Sequence, residues 1–369
     1  MFFHVIMTTH CNLMCRYCYG EAVNDFSETG EDFDVLLPER IAYDVSELAS
    51  FCSKDPDCSI IFYGGEPLLE AEKIEEIIEK VPARRFLIQT NGTLLHRLGK
   101  NYFAKLHTIA VSVDGKEETT DMNRGDGTFR RVVKNLKYVV KSGFEGEIIA
   151  RMTVMEPMDI FEEVRWLLNN QEFSFSAVHW QLNAGFWNDF EKRNFKVWVE
   201  EKYNPGVRKL VEWWTEEIWH GRVHKIYPFL GVLKSLFADG SGGLRCGAGW
   251  ANYAIQTDGH IIPCPSMWGM RRFYLGHITQ SHPLNLEKIK TTDFCEDCEI
   301  FAFCGGRCLY ANVMKRWPRE AYRIVCGTVK NLVNALRCVL PKIEKALQMN
   351  IVKPEDFNFL EFNGCEIIP

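Results

Sequence analysis

No stretch of this chain approaches the roughly 18 uninterrupted apolar residues of a membrane-spanning helix. The opening FFHVIM is too short, and too soon followed by polar residues, for a secretory signal. A basic excess is also missing: 43 Lys and Arg stand against 49 Asp and Glu, a formal charge of −6, so nothing announces nucleic acid as a partner. There is no internal repeat and no low-complexity tract. These absences leave a cytoplasmic protein as the expectation, with neither membrane nor nucleic acid among its partners. Cysteine, by contrast, is plentiful, at 14 in 369 residues. Without a signal segment, that many cysteines point to metal or redox work rather than disulfides. With 46% apolar residues the chain can bury a substantial core, and its length favours a large catalytic domain with a smaller one attached.

The cysteines fall into two patterned sets. Cys11, Cys15 and Cys18 lie in THCNLMCRYCYG, directly after the hydrophobic opening run. A 4Fe–4S cube usually takes four cysteines, so this Cys-x3-Cys-x2-Cys trio would leave one iron open to a ligand that is not protein. The second set runs Cys246, Gly259 and Cys264 in C-x12-G-x4-C, then Cys295, Cys298, Cys304 and Cys308 in C-x2-C-x5-C-x3-C, then Cys326. The competing reading is structural zinc, which wants four or eight ligands in closed sites. Seven interleaved cysteines do not divide that way. Cys52, Cys58 and Cys338 are expected as small buried hydrophobes.

With Tyr17 between its last two cysteines, the first motif resembles the signature of radical S-adenosylmethionine (SAM) enzymes, and the seven downstream cysteines resemble a SPASM domain with auxiliary clusters. The opening strand and the ending NGCEIIP are similar to an archaeal group that modifies small peptides. The resemblance implies three 4Fe–4S clusters, with SAM on the open iron cleaved by an electron from a low-potential donor such as ferredoxin or flavodoxin. The resulting 5′-deoxyadenosyl radical would abstract hydrogen from the substrate. By the same resemblance, Gly64, Gly65 and Glu66 in FYGGEP, Ser112 and Asp114 in SVDG, and Arg124 face SAM; Arg suits a carboxylate because its planar fork makes two hydrogen bonds. Asn91 and Arg151 are further SAM neighbours, although Asn91 reads equally as an Asn-Gly turn residue and Arg151 as half of a salt bridge. Cys295, Cys298, Cys304 and Cys326 would close an outer auxiliary cluster, and Cys246, Cys264 and Cys308 would hold an inner one that is a cysteine short. Cys365 in the tail, or the substrate itself, would complete it.

The expected substrate is a peptide or small protein, modified by thioether or carbon–carbon crosslinking or a related reaction. Formylglycine formation is disfavoured: sulfatase-maturing relatives carry an aspartate base where this chain has Pro265. The alternatives are oxidative decarboxylation of a tetrapyrrole by the same radical chemistry and, from another class, an iron–sulfur electron-transfer module. A strand beginning at residue 2 leaves no expectation of an N-terminal leader-binding domain.

Short β-branched runs at 3–8, 59–64, 86–90, 108–113, 147–154 and 177–182 alternate with segments of helical periodicity such as EAEKIEEIIEKV and FRRVVKNLKYVVKSG, the second ended by Gly143. Six β–α units imply parallel strands with right-handed crossovers, and the fold class is an α/β partial (β/α)6 barrel followed by a small C-terminal SPASM iron–sulfur domain. The expected division is a barrel over 1–184, a Trp-rich helical connector over 185–240, the auxiliary-cluster domain over 241–340, and a helix and extended tail over 341–369. Indoles in the connector read as core against the barrel rather than as a substrate wall. Pro341 is expected to kink or break the last helix.

Overall fold

The computed structural model describes residues 1–20, 31–238, 243–291, 295 and 297–363. Six parallel strands form its centre: β1 Phe2–Thr8, β2 Ser59–Gly64, β3 Arg85–Thr90, β4 Leu106–Ser112, β5 Glu147–Val154 and β6 Ala177–Leu182. They lie side by side in chain order, as crossover helices require. Four short strands extend this sheet: β7 Lys225–Ile226 beside β6, and β8 Asn252–Ile255, β9 His260–Ile262 and β10 Gly276–His277 beyond β1. β8 pairs parallel with β1, so the C-terminal part continues the barrel sheet instead of sitting apart from it.

Alternation along each strand divides its side chains between two layers. Phe3, Val5 and Met7 pack under the helices, together with Ile60, Phe62, Ile109, Val111 and Val178. One such helix, Thr128–Lys141, buries Val132, Val133, Leu136 and Val139 toward the sheet, each worth about 1.5–3 kcal/mol. Gly143 follows it at φ 91°, the left-handed turn that frees the chain for β5. The other strand face lines the inside of the barrel, where Ala110, Ile149 and Ala177 pack with Tyr227.

Three expectations for the C-terminus are corrected. Pro341 does not break its helix, which runs without interruption over Arg319–Gln348. A buried stripe of Leu332, Val333, Leu336, Val339 and Ile343 spans the proline and outweighs the lost N–H. Cys338 lies off that stripe and is exposed, whereas Cys52 and Cys58 are buried as expected. The tail to residue 363 is docked, not extended: Phe359 packs edge-on to Tyr227 at 5.4 Å, and Asn363 Nδ2 donates to the Tyr227 hydroxyl at 2.9 Å. Trp198 and Trp214 are core, with indole N–H groups bonded to the carbonyls of Met158 and His224. Among the described residues no helix is long and apolar enough to cross a membrane.

Candidate active site

β1 delivers the first cysteine loop to the barrel mouth, and the end of β2 grips it. Gly65 N–H donates to Thr8 O at 2.9 Å and Glu66 N–H to His10 O at 2.8 Å. A Cβ on Gly64 would lie 2.3 Å from Thr8 O, and one on Gly65 2.2 Å from His10 O, so only glycine permits this approach. The Glu66 carboxylate is fully buried and accepts from Thr90 Oγ1, Asn91 N and Leu68 N. Burial pushes its pKa up to about 7 against those hydrogen bonds. Asn91 in turn points its amide at the loop, donating to Asn12 Oδ1 at 2.9 Å and to Cys11 Sγ at 3.8 Å.

The other side of the loop is held by an ion pair. Arg124 Nε and Nη2 reach the two oxygens of Asp114 at 3.0 and 2.9 Å. The Tyr17 hydroxyl also donates to Asp114, and Thr153 N–H donates at 2.9 Å. Burial opposes the charge on Arg124, but Asp114 and Tyr17 outweigh it and hold the guanidinium protonated. Asp114 has 0% exposure, its carboxylate taken up by Arg124, Tyr17 and Thr153. Cys15 rests nearby, its thiol pushed up to about 11 by burial despite Arg124. Ser112 and Arg151 are register partners on β4 and β5, on the inward strand face.

The downstream cysteines ring two cavities. Cys295, Cys298, Cys304 and Cys326 line one, with Asn312 Nδ2 donating to Cys295 Sγ at 3.6 Å. Cys246 and Cys264 line the other, inside the barrel mouth, and Cys308 borders both. Gly305, next to Cys304, takes φ 64° and lets the Gly243 backbone approach closely, since a Cβ there would sit 2.0 Å from Gly243 O. Burial pushes the Cys304 thiol up to about 12, so a metal must displace its proton on binding. Among the described residues, no three of Cys, His, Asp and Glu converge on a single point as for one metal ion. Soft thiolate sets around cavities, with amide donors aimed at sulfur, fit iron–sulfur clusters. Cys365 lies outside the described residues.

An aromatic bridge joins the two cysteine regions. The hydroxyls of Tyr19 and Tyr63 meet at 2.6 Å, and burial raises both pKa values, with Cys18 and Cys264 among the neighbours that add to it. Tyr19 packs on Phe186 at 5.9 Å, and Phe186 stacks on Tyr310 at 5.3 Å. The sequence reading missed this wall and the polar inward residues His4, Tyr63, Gln89, His179 and Gln181. Their signal was there: polar side chains at alternate positions of otherwise apolar strands.

Residues 5–167 match the family model of the Radical SAM superfamily. The chain thus carries a radical SAM domain, and that domain implies an enzyme working with a 4Fe–4S cluster and SAM. More particularly, it is similar to the cysteine-type anaerobic sulfatase-maturating enzyme of Clostridium perfringens, at 23% identity over 81% of this chain and 85% of the relative. It is similar too to the radical SAM cyclopropyl synthase TigE of Paramaledivibacter caminithermalis, at 22% over 90% and 73%, and to the subtilosin biosynthesis protein AlbA of Bacillus subtilis, at 23% over 88% and 70%. Its fold matches native anSMEcpe with bound AdoMet at TM-score 0.69, 19% identity, 95% of this chain and 100% of that one. SuiB of Streptococcus suis bound to its precursor peptide SuiA matches at TM-score 0.52 and 17% identity, over 85% of this chain and 72% of that one.

Proposed function

We propose that this enzyme modifies a peptide or small protein, by thioether or carbon–carbon crosslinking, with three 4Fe–4S clusters. The observation that carries the reading is the cavity in the barrel mouth, which Tyr63 and Phe186 share with Cys246, Cys264 and Cys308 and which Tyr19 links to the Cys18 loop. Cys11, Cys15 and Cys18 would hold the first cluster, whose bound SAM supplies a carbon-centred radical for hydrogen abstraction. Gly64 and Gly65 fix that loop, Asp114 and Arg124 brace it, and Ser112 faces the same mouth for SAM. Cys295, Cys298, Cys304 and Cys326 would hold the outer auxiliary cluster. Cys246, Cys264 and Cys308 would hold the inner one, leaving a position for a substrate thiolate.

Relatives that act on peptides support this substrate class. Formylglycine formation fits less well, because the cavity wall places Pro265 beside Cys264 and contains no Asp or Glu among its described lining residues. The test is anaerobic reconstitution with dithionite and SAM, then co-expression with a short reading frame encoded beside the gene. Release of 5′-deoxyadenosine and a mass change in that peptide are expected. A spectral shift and turnover with an iron porphyrin, and none with peptide, would assign the tetrapyrrole reaction instead.

A further inference from the structure

The end of the docked tail presses on one cysteine of the inner auxiliary set. Cys246 sits in a turn that is bonded to itself: Gly247 N–H donates to Leu244 O at 2.9 Å, and the N–H groups of Trp250, Ala251 and Asn252 converge on Gly247 O at 3.1, 2.9 and 2.8 Å. The tail covers one side of it. Phe362 meets the Trp250 ring edge-on at 5.1 Å, and a Cβ on Gly247, the neighbour of Cys246, would lie 2.8 Å from Phe362 Cδ1. Asn252 ties the two together, its Nδ2 donating to Cys246 O at 3.4 Å and to Phe362 O at 3.1 Å.

Phe362 is held in an unfavourable backbone conformation. Its φ is 62°, a left-handed value that a bulky residue adopts only where its surroundings impose it. Here they impose it from both sides: Glu361 pairs with Lys234, and Asn363 Nδ2 donates to the Tyr227 hydroxyl at 2.9 Å. The strain thus falls on the residue that touches the cysteine turn, and not on Phe359, which packs on Tyr227. None of Phe359, Phe362 and Asn363 lines the cavity of Cys246, Cys264 and Cys308, so their effect on that site passes through the turn. Groups behind a metal ligand fix its orientation, and with three thiolates in the inner set a displaced Cys246 leaves two.

We infer that residues 359–363 position Cys246 for the inner auxiliary cluster, so that this site takes up its iron only with the end of the chain docked. The inference rests on the three-cluster reading and adds to it a positioning segment far from the cysteine motifs in sequence.

The experiment compares reconstituted wild-type protein with Phe362→Ala and with two shortened chains, one ending at Asn363 and one at Asn358. Iron per chain, electron paramagnetic resonance of the reduced clusters and 5′-deoxyadenosine release are measured. In the protein as isolated, the rate at which iodoacetamide alkylates Cys246 is followed by peptide mapping. Phe362→Ala and the chain ending at Asn358 are expected to lose about four irons per chain and the inner cluster's signal, with the first and outer clusters and 5′-deoxyadenosine release retained. Cys246 should be alkylated at least about tenfold faster in both, with Cys326 unchanged. The chain ending at Asn363 should match wild type in every measurement. Loss of the inner cluster in that chain as well would give the role to the residues after 363, Cys365 among them, and overturns the inference. So does full iron in Phe362→Ala, or loss of all three clusters together, which would make the tail a support for the whole fold. Wild-type protein with only about four irons would remove the three-cluster reading by itself. The alkylation rates then decide the positioning, and equal rates in wild type and Phe362→Ala overturn it.

Discussion

Asp114 and Arg124 close a two-point ion pair with side chains 0% and 6% exposed, directly beneath the loop that carries Cys11, Cys15 and Cys18. Removing one partner strands the other charge in the interior. Asp114→Asn is expected to cost about 3–5 kcal/mol and to abolish SAM cleavage, whereas Asp114→Asn combined with Arg124→Met should recover part of the stability. Urea unfolding of the three variants checks this; additive losses in the double variant would refute it.

Gly65 leaves no room for a side chain against His10 O. Gly65→Ala should therefore displace the first cysteine loop and lower iron by about four per chain from a total of about twelve, with the auxiliary clusters retained. Iron analysis and electron paramagnetic resonance of the reduced protein decide it. Zinc in the downstream sites, with only about four irons in the wild type, would remove the three-cluster reading.

The Tyr19–Tyr63 contact lies between the loop of Cys18 and the cavity of Cys264. Tyr63→Phe removes one hydroxyl at a stability cost of about 1 kcal/mol. It should leave 5′-deoxyadenosine release intact while lowering the yield of modified peptide per radical. An unchanged product ratio would show that the hydroxyl pair only packs.

His4 gives a pH signature. Its pKa is depressed from the ordinary 6.5 to about 4 by burial, so between those values the unfolded chain binds more protons than the folded one. Stability should then fall as pH drops from about 6.5 toward 4, and His4→Gln should remove that part of the slope. The difference between wild-type and variant unfolding free energies across this range is the measurement, and parallel curves would count against it.

The six central strands were legible because their runs are apolar and β-branched and are punctuated by helical periods; β2, β5 and β6 occupy the residues expected. The barrel interior was harder to see. His4, Gln89 and Gln181 look like interruptions in a buried strand until alternation puts them on one face. Asp114 and Arg124 were picked out for SAM, yet their mutual pairing depends on Thr153 and Tyr17, which come from distant parts of the chain. Pro341 misled because a local rule met a long buried stripe, and the tail because its anchor, Tyr227, lies 136 residues upstream of Asn363.

The pairing of β8 with β1 constrains the order in which the protein is built. His4 and Asn252, bonded across that seam, are 248 residues apart, so closing it carries a large loop entropy and comes late. During synthesis β1 has one edge unpaired until most of the polypeptide has left the ribosome, and an unpaired edge invites association with other chains. The strand that carries the first cysteine loop is thus the one whose second edge is covered last, and a shortened chain ending before Asn252 is expected to aggregate.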